Sequence, residues 1–292
     1  MQSDILDLVV LNYNDSDTVI EYIKRIMEYK IFAHIVIVDN CSTDNSIDKI
    51  ENVTKGKIEV IKTKKNGGYG YGNNYGVMYC YQKYNPKFVL ITNPDVEYKE
   101  STVENMIHVL EKYKDAAVVA PIMKDGKGNI EEYCAWKIRS AIIMACSTIS
   151  CIERRMNLIH YKGFSNNIDI NEMPVGAVAG SMLMVRTKDM VKYGMYDEKM
   201  FLYCEESLLG IKMKKANKKT YILLNDYFIH KHGVSIRKTI KSDLEKYRMI
   251  TRNRLYLTEN YLTQNKLVVF FCKILLWISE KENERYLKRI EN

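Results

Sequence analysis

Phe88-Val89-Leu90-Ile91-Thr92-Asn93-Pro94-Asp95 is an apolar, β-branched run that ends on a carboxylate, and this stretch decides the fold. Five such residues before a turn read as a strand buried on both faces. Working outward, short runs of the same kind alternate with helical periodicity. Strands are predicted at 6–11, 35–38, 58–62, 88–92 and 117–120, with helices between them at 16–29, 43–51, 73–84 and 102–113. Thr43 is the expected cap of the second helix. Strands joined by helices of this length require right-handed crossovers, so the sequence predicts an α/β fold with a mostly parallel sheet and helices on both faces.

In such sheets ligands bind beyond the carboxyl ends of the strands, and those ends carry the unusual residues here. The first strand runs into Asn12-Tyr13-Asn14-Asp15, the second into Asp39-Asn40-Cys41-Ser42, the third leads to Asn66-Gly67-Gly68, and the fourth into Asn93-Pro94-Asp95. Asp39 can accept from a ring N–H, and Asn12 offers both donor and acceptor to a pyrimidine edge and its ribose; Asp and Asn also sit at strand ends simply to make turns. Asp95 has two readings of the same kind. It is either the cap of a Pro-rigidified turn or one protein ligand of Mg2+ or Mn2+, whose remaining shell would be phosphate oxygens and water. Gly67, Gly68, Gly70 and Gly72 read as a loop before a helix that begins at Asn73, able to approach a phosphate or sugar closely. The run is neither a dinucleotide fingerprint nor a P-loop, because Tyr75 stands where a third spaced glycine would be and no Lys-Ser/Thr follows.

From about 123 to 174 the pattern weakens and no elements are assigned. A strand at 179–185, a helix at 205–216 and a strand at 221–224 then follow, and beyond residue 239 the chain reads as helices. Glu205 and Glu206 lie side by side at the expected start of a helix, where the dipole favours acids and where one could serve as a general base. His230 and His232 share a face if the strand before them continues, so either could reach a metal.

Composition sets the outer limits. The 292 residues are 47% hydrophobic and 27% charged, an ordinary globular composition. The cysteines Cys41, Cys80, Cys134, Cys146, Cys151, Cys204 and Cys272 are odd in number, with no C-x-x-C pair, and read as reduced thiols of a cytoplasmic protein. No apolar run is long enough to span a bilayer, and the N-terminal residues lack signal-peptide character. The net charge of +8 owes much to Arg237, Lys238, Lys241, Lys246, Arg248, Arg252 and Arg254. These are not interleaved with aromatics on a platform, which argues against nucleic acid. The apolar segment 267–278, with Lys266 and Lys273 at its edges, is expected either to lie at the inner face of the cell membrane as a peripheral contact with anionic lipid, or to pack on the catalytic domain or on a second subunit in a homodimer.

Together these segments resemble the inverting glycosyltransferase family 2, which has a GT-A fold, and most closely its rhamnosyltransferase-like bacterial members. The landmarks are Val9 to Asn14, Val36 to Asp44, Asn66 to Asn74, Asn93 to Val96, Gly180-Ser181, Tyr196 through Glu206, and His230 with Gly233 and Ser235. The resemblance implies a donor site for a UDP- or dTDP-linked sugar formed by Leu11, Asn12, Tyr13, Asn14, Asp39, Asn40, Ser42, Asn66, Gly67, Gly72, Asn73, Asn93, Gly180 and Ser181. It also implies a divalent metal, Mn2+ or Mg2+, on Asp95 with His230 (alternatively His232), and catalysis by Glu206 beside Glu205. The family often places Asp where this chain has Glu206, and a further acid where it has Leu208. The implied domains are 1–235, a catalytic unit with a nucleotide-sugar half at 1–121 and an acceptor half at 122–235, and a helical region at 236–292. The acceptor would be a saccharide or lipid-linked glycan in surface polysaccharide synthesis. Two other readings share the nucleotide site: a binding protein without turnover, and a sugar nucleotidyltransferase.

Overall fold

The computed structural model describes residues 5–161, 170–231 and 242–291. Its first half alternates as the spacing predicts: β1 (Leu6–Asn12), α1 (Ser16–Ile26), β2 (His34–Asp39), α2 (Ser46–Glu51), β3 (Ile58–Lys62), α3 (Gly68–Lys83), β4 (Phe88–Thr92), the short β5 (Val96–Glu97), α4 (Glu100–Lys112) and β6 (Ala116–Lys124). All five residues of β4 are buried, as expected for a strand covered on both faces. Helix α1 shows the complementary pattern. Val19, Tyr22, Ile23 and Ile26 turn inward at helical spacing while Glu21, Lys24 and Arg25 face solvent. Burying side chains of this size stabilises the fold by roughly 1.5–3 kcal/mol each.

The second half contains β7 (Ala135–Trp136), α5 (Ala141–Cys146), α6 (Ser150–Met156), β8 (Glu172–Val175), β9 (Ala177–Val178), β10 (Met182–Arg186), α7 (Thr187–Asp189), α8 (Glu205–Lys215), β11 (Lys219–His230), α9 (Asp243–Leu257) and α10 (Lys266–Glu291). The main sheet has nine strands in the order β3-β2-β1-β4-β10-β6-β11-β5, with β8 also pairing β11. Strands β1 to β4 are mutually parallel, β10 is antiparallel to both β4 and β6, and β6 is parallel to β11. Six of the nine strands therefore point the same way, and their carboxyl ends share one edge. Because β10 runs against them, it brings its amino-terminal end, Gly180-Ser181, to that edge.

Two local expectations are corrected. Helix α2 starts at Ser46 rather than Thr43, whose backbone N–H and hydroxyl are taken up by the Asn14 side chain at 2.8 and 3.1 Å. The glycine run is not a loop, since α3 begins at Gly68 and contains Gly70, Gly72 and Gly76. Each of these replaces a side chain that would collide. A Cβ on Gly72 would lie 2.2 Å from Leu11, and one on Gly76 2.5 Å from Val9, so the glycines let α3 press against β1.

The C-terminal helices pack onto the rest of the chain. Cys272 and Leu276 of α10 form one apolar cluster with Ala141 and Ala145 of α5, and Leu257 of α9 forms another with Met200 and Leu208.

Candidate active site

The carboxyl-terminal edge gathers the singled-out residues into three linked groups. The first lies at the ends of β1 and β2, where Asn12 pairs with Asp39 in register. The Asn12 amide donates to Asp39 Oδ1 at 2.8 Å and to Ser42 Oγ at 3.2 Å, and the Ser42 backbone N–H donates to Asp39 Oδ2 at 2.9 Å. Asp39 is fully buried, and these donors offset the expense of removing its charge from water. Asn12 Oδ1 is buried and has no hydrogen-bond partner among the described residues, leaving an acceptor at the end of β1. The Asn14 backbone N–H donates to Ser42 Oγ at 2.9 Å and ties the two strand ends together, with Leu11 and Tyr13 half-buried on either side of Asn12.

The second group surrounds the start of α3. The Asn40 amide donates to Asn66 Oδ1 at 3.1 Å and to the Gly68 carbonyl at 3.0 Å, while Asn66 Oδ1 also accepts from the Gly68 N–H. Gly67 is the cap residue of the helix. Gly68 has φ of +86°, and a Cβ there would overlap the Phe201 carbonyl, which accepts from the Tyr69 N–H at 3.0 Å. Only glycine suits this position. Asn73 donates to the Tyr69 carbonyl from within the helix and keeps a buried Oδ1 unpartnered.

The third group carries the ionisable residues. Asp95 is 8% exposed and its Oδ1 lies 3.2 Å from His230 Nε2 at the end of β11. The backbone holds this contact, because His230 pairs with Val96 and the Lys231 N–H donates to the Asp95 carbonyl at 3.0 Å. His232 lies outside the described residues. One turn back, the Asn93 N–H donates to the Ser181 carbonyl at 2.9 Å. The adjacent Gly180 N–H donates to Glu206 Oε1 at 3.2 Å, and the Gly180 carbonyl accepts from the Tyr69 hydroxyl at 2.6 Å. A continuous backbone path thus joins the Asp95 turn to the Glu206 carboxylate.

Glu205 and Glu206 occupy the first turn of α8 but differ in surroundings. Glu205 is 2% exposed with Oε1 unpartnered; burial, and then the charge of Glu206, push its carboxyl well above the usual range. Glu206 is half-buried; burial raises it too, against the opposing pull of its own and the Gly180 backbone N–H groups. A carboxylate with raised proton affinity can accept a proton from a hydroxyl, and of the two Glu205 is the more enclosed.

The turn before α8 is strained. Tyr203 and Cys204 both have left-handed φ, 75° and 73°, unusual for residues with side chains. The Asn253 amide of α9 holds them, donating to the Leu202 and Tyr203 carbonyls at 2.8 and 2.9 Å. Sequence reasoning missed Asn253, and it also missed Tyr69 and Asn74, whose side chain clamps the Tyr196 backbone in both directions at 2.8 and 2.9 Å. No local pattern marks such partners, which are 50 or more residues away.

A nine-stranded sheet of this order, with a parallel half and one antiparallel strand, β10, set between β4 and β6, is the GT-A architecture of glycosyltransferases. The comparisons agree. The model of the family described as glycosyl transferase family 2 matches residues 7–171, and the chain belongs to that family. It is 22% identical over 229 residues to the N-acetylglucosaminyl-diphospho-decaprenol L-rhamnosyltransferase of Mycobacterium tuberculosis, covering 73% of this chain and 72% of the relative. It is 24% identical over 166 residues to the rhamnosyltransferase WbbL of Escherichia coli, covering 56% and 60% of the two chains. Among solved structures, the mannosyltransferase PcManGT from Pyrobaculum calidifontis, in complex with GDP-Man and Mn2+, superposes with a TM-score of 0.56 at 12% identity, covering 95% of this chain and 73% of the other.

Proposed function

We propose that this chain is an inverting enzyme that moves a sugar from a UDP- or dTDP-linked donor to a hydroxyl of a saccharide or lipid-linked glycan, in bacterial surface polysaccharide synthesis. The rhamnosyltransferase relatives support the substrate class. The observation that supports the reading is the bonded path from Asp95 through Asn93, Ser181 and Gly180 to Glu206, which ties the two carboxylates into one backbone frame.

In this mechanism Asn12, Asp39 and Ser42 hold the nucleoside, with Leu11, Tyr13 and Asn14 around them. Asn40, Asn66, Gly67, Gly72 and Asn73 shape the wall against which the donor lies. Glu206 takes the proton of the acceptor hydroxyl as that oxygen attacks the anomeric carbon; the bond to the diphosphate breaks, and the configuration inverts once.

The residues fit a divalent cation. Asp95 presents a buried carboxylate oxygen, His230 Nε2 lies beside it, and no group of three or more His, Cys, Asp or Glu among the described residues is placed to hold a metal by itself. Two protein ligands completed by diphosphate and water is the coordination that Mg2+ or Mn2+ takes in such sites. The ion would neutralise charge on the leaving diphosphate.

The test is Glu206→Gln, which keeps an oxygen for the Gly180 N–H but cannot accept a proton. Release of UDP or dTDP from a panel of sugar nucleotides should fall by about 10²- to 10⁴-fold while donor binding persists. Turnover at the wild-type rate would remove Glu206 from the role of base, and a wild-type chain that released neither diphosphate would be a binding protein.

A further inference from the structure

Helix α10 has two apolar faces, and the fold uses one. Cys272 and Leu276 bury against α5, with Val268 and Leu275 packed beside them. On the other side Leu267, Phe270, Phe271, Ile274, Trp277 and Ile278 are each at least 40% exposed, and Trp277 and Leu267 reach 60% and 70%. Their spacing of three and four residues sets them in one stripe along the helix. An apolar surface of this extent, confined to one face, marks a contact with something other than water.

The charges identify the occupant. Between residues 266 and 289 the exposed Lys, Arg, Asp and Glu side chains are Lys266, Lys273, Arg285, Lys288 and Arg289, all of the basic kind. The carboxylates of the same stretch are half-buried and engaged: Glu280 by Arg248, Glu282 by the Ser150 N–H, and Glu284 by Arg248 and Lys281. Lys273 also reaches Glu259 of the preceding turn. A symmetric pairing with a second copy would set these cations against one another, whereas an anionic bilayer complements them. No helix among the described residues is long and apolar enough to cross a membrane, which leaves the geometry of a helix lying in the interface, with Trp277 and the phenylalanines at the headgroup boundary.

We propose that α10 lays this face on an anionic lipid bilayer. The surface stands independently of the catalytic reading, so either can fail without the other. The 292-residue chain has two tryptophans, and Trp136→Phe leaves Trp277 as the reporter. With vesicles of phosphatidylcholine and phosphatidylglycerol, Trp277 emission should shift to the blue and the protein should co-sediment; phosphatidylcholine alone should bind more weakly, and added salt should release the protein. A Phe270→Ser/Phe271→Ser variant, altered only at side chains more than half exposed, should keep its circular dichroism and lose about a hundredfold in partitioning. Co-sedimentation of otherwise wild-type protein provides a readout free of the Trp136 change. The proposal is overturned if the anionic vesicles leave emission and sedimentation unchanged, if the double variant binds as well as its parent, or if the blue shift follows protein concentration without vesicles, which would assign the face to a second copy.

Discussion

Gly180→Ala tests whether the Glu206 carboxylate is positioned as described. The new Cβ would lie 2.7 Å from Glu206 Oε1, 3.1 Å from its Cγ and 3.1 Å from the Tyr69 hydroxyl, whereas ordinary contacts begin at 3.4 Å. Gly180 is not among the residues of positive φ, so alanine meets no backbone strain, and relief must come from the end of the flexible Glu206 side chain. Moving it off its rotamer costs about 0.5–1.5 kcal/mol. The reduced freedom of the unfolded chain returns about 0.4–1 kcal/mol, so stability should be nearly unchanged. Catalysis should respond differently, because displacing a reacting group by about an ångström typically lowers the rate by about 10²-fold, or roughly 2.7 kcal/mol in the barrier. The assay pairs nucleoside-diphosphate release with thermal melting by circular dichroism. A variant with the melting temperature of wild type and a rate within about threefold of it would refute the claim that Gly180 places the base.

Two further predictions concern stability. Leu208 is fully buried between Met200 and Leu257, so Leu208→Asp should destabilise by about 4 kcal/mol or more in urea unfolding, while Leu208→Met should lose less than about 1.5 kcal/mol; tolerance of the aspartate would contradict the packing of α8 on α9. The Glu59 carboxyl is raised by burial but lowered by more through hydrogen bonds from Lys83, Tyr79 and Tyr84, and sits at about 2 against an ordinary 4.5. Its folded form therefore favours the charged state, so the stabilisation is complete above about pH 4.5 and is lost as pH falls from there toward 2. Because Glu59 is about one-third exposed, the contribution is discounted to about 1 kcal/mol. Glu59→Gln should flatten the acid limb of stability over that window, and an unchanged limb would dismiss the network.

Much of this architecture was legible because burial on both faces leaves a plain signature. β3 and β4 fall on the predicted residues, and β1 and β2 differ from expectation by a residue at one or both ends. The strand-end polar residues were legible for a related reason: Asn12, Asp39 and Asp95 interrupt apolar runs where parallel strands end at one edge of the sheet. The glycine run misled because glycine disfavours helix in isolation, yet Gly70, Gly72 and Gly76 are required where α3 meets Tyr196, Leu11 and Val9, a constraint that exists only after the chain has folded. Strand β11 extends from Lys219 to His230 rather than ending at 224, because its pairing with β6 shifts register between Leu223 and Tyr227 and resumes. Between 123 and 174 the described elements are mostly two to seven residues long, too short for periodicity to declare them. Asn253 was silent for the same reason as Tyr69, since its role depends on partners remote in sequence.

Whether Asp95 holds a cation for the donor diphosphate is tested most directly by calorimetric titration of UDP and dTDP into wild-type and Asp95→Asn protein, each with Mn2+ and with a chelator. Wild-type protein should bind one of the two nucleotides tightly only when Mn2+ is present, and Asp95→Asn should abolish the gain from the metal while its weak, metal-free affinity stays the same. Equal Mn2+-dependent affinity in the two proteins would show that Asp95 does not hold the cation, and the sugar-transfer mechanism built on it would fall.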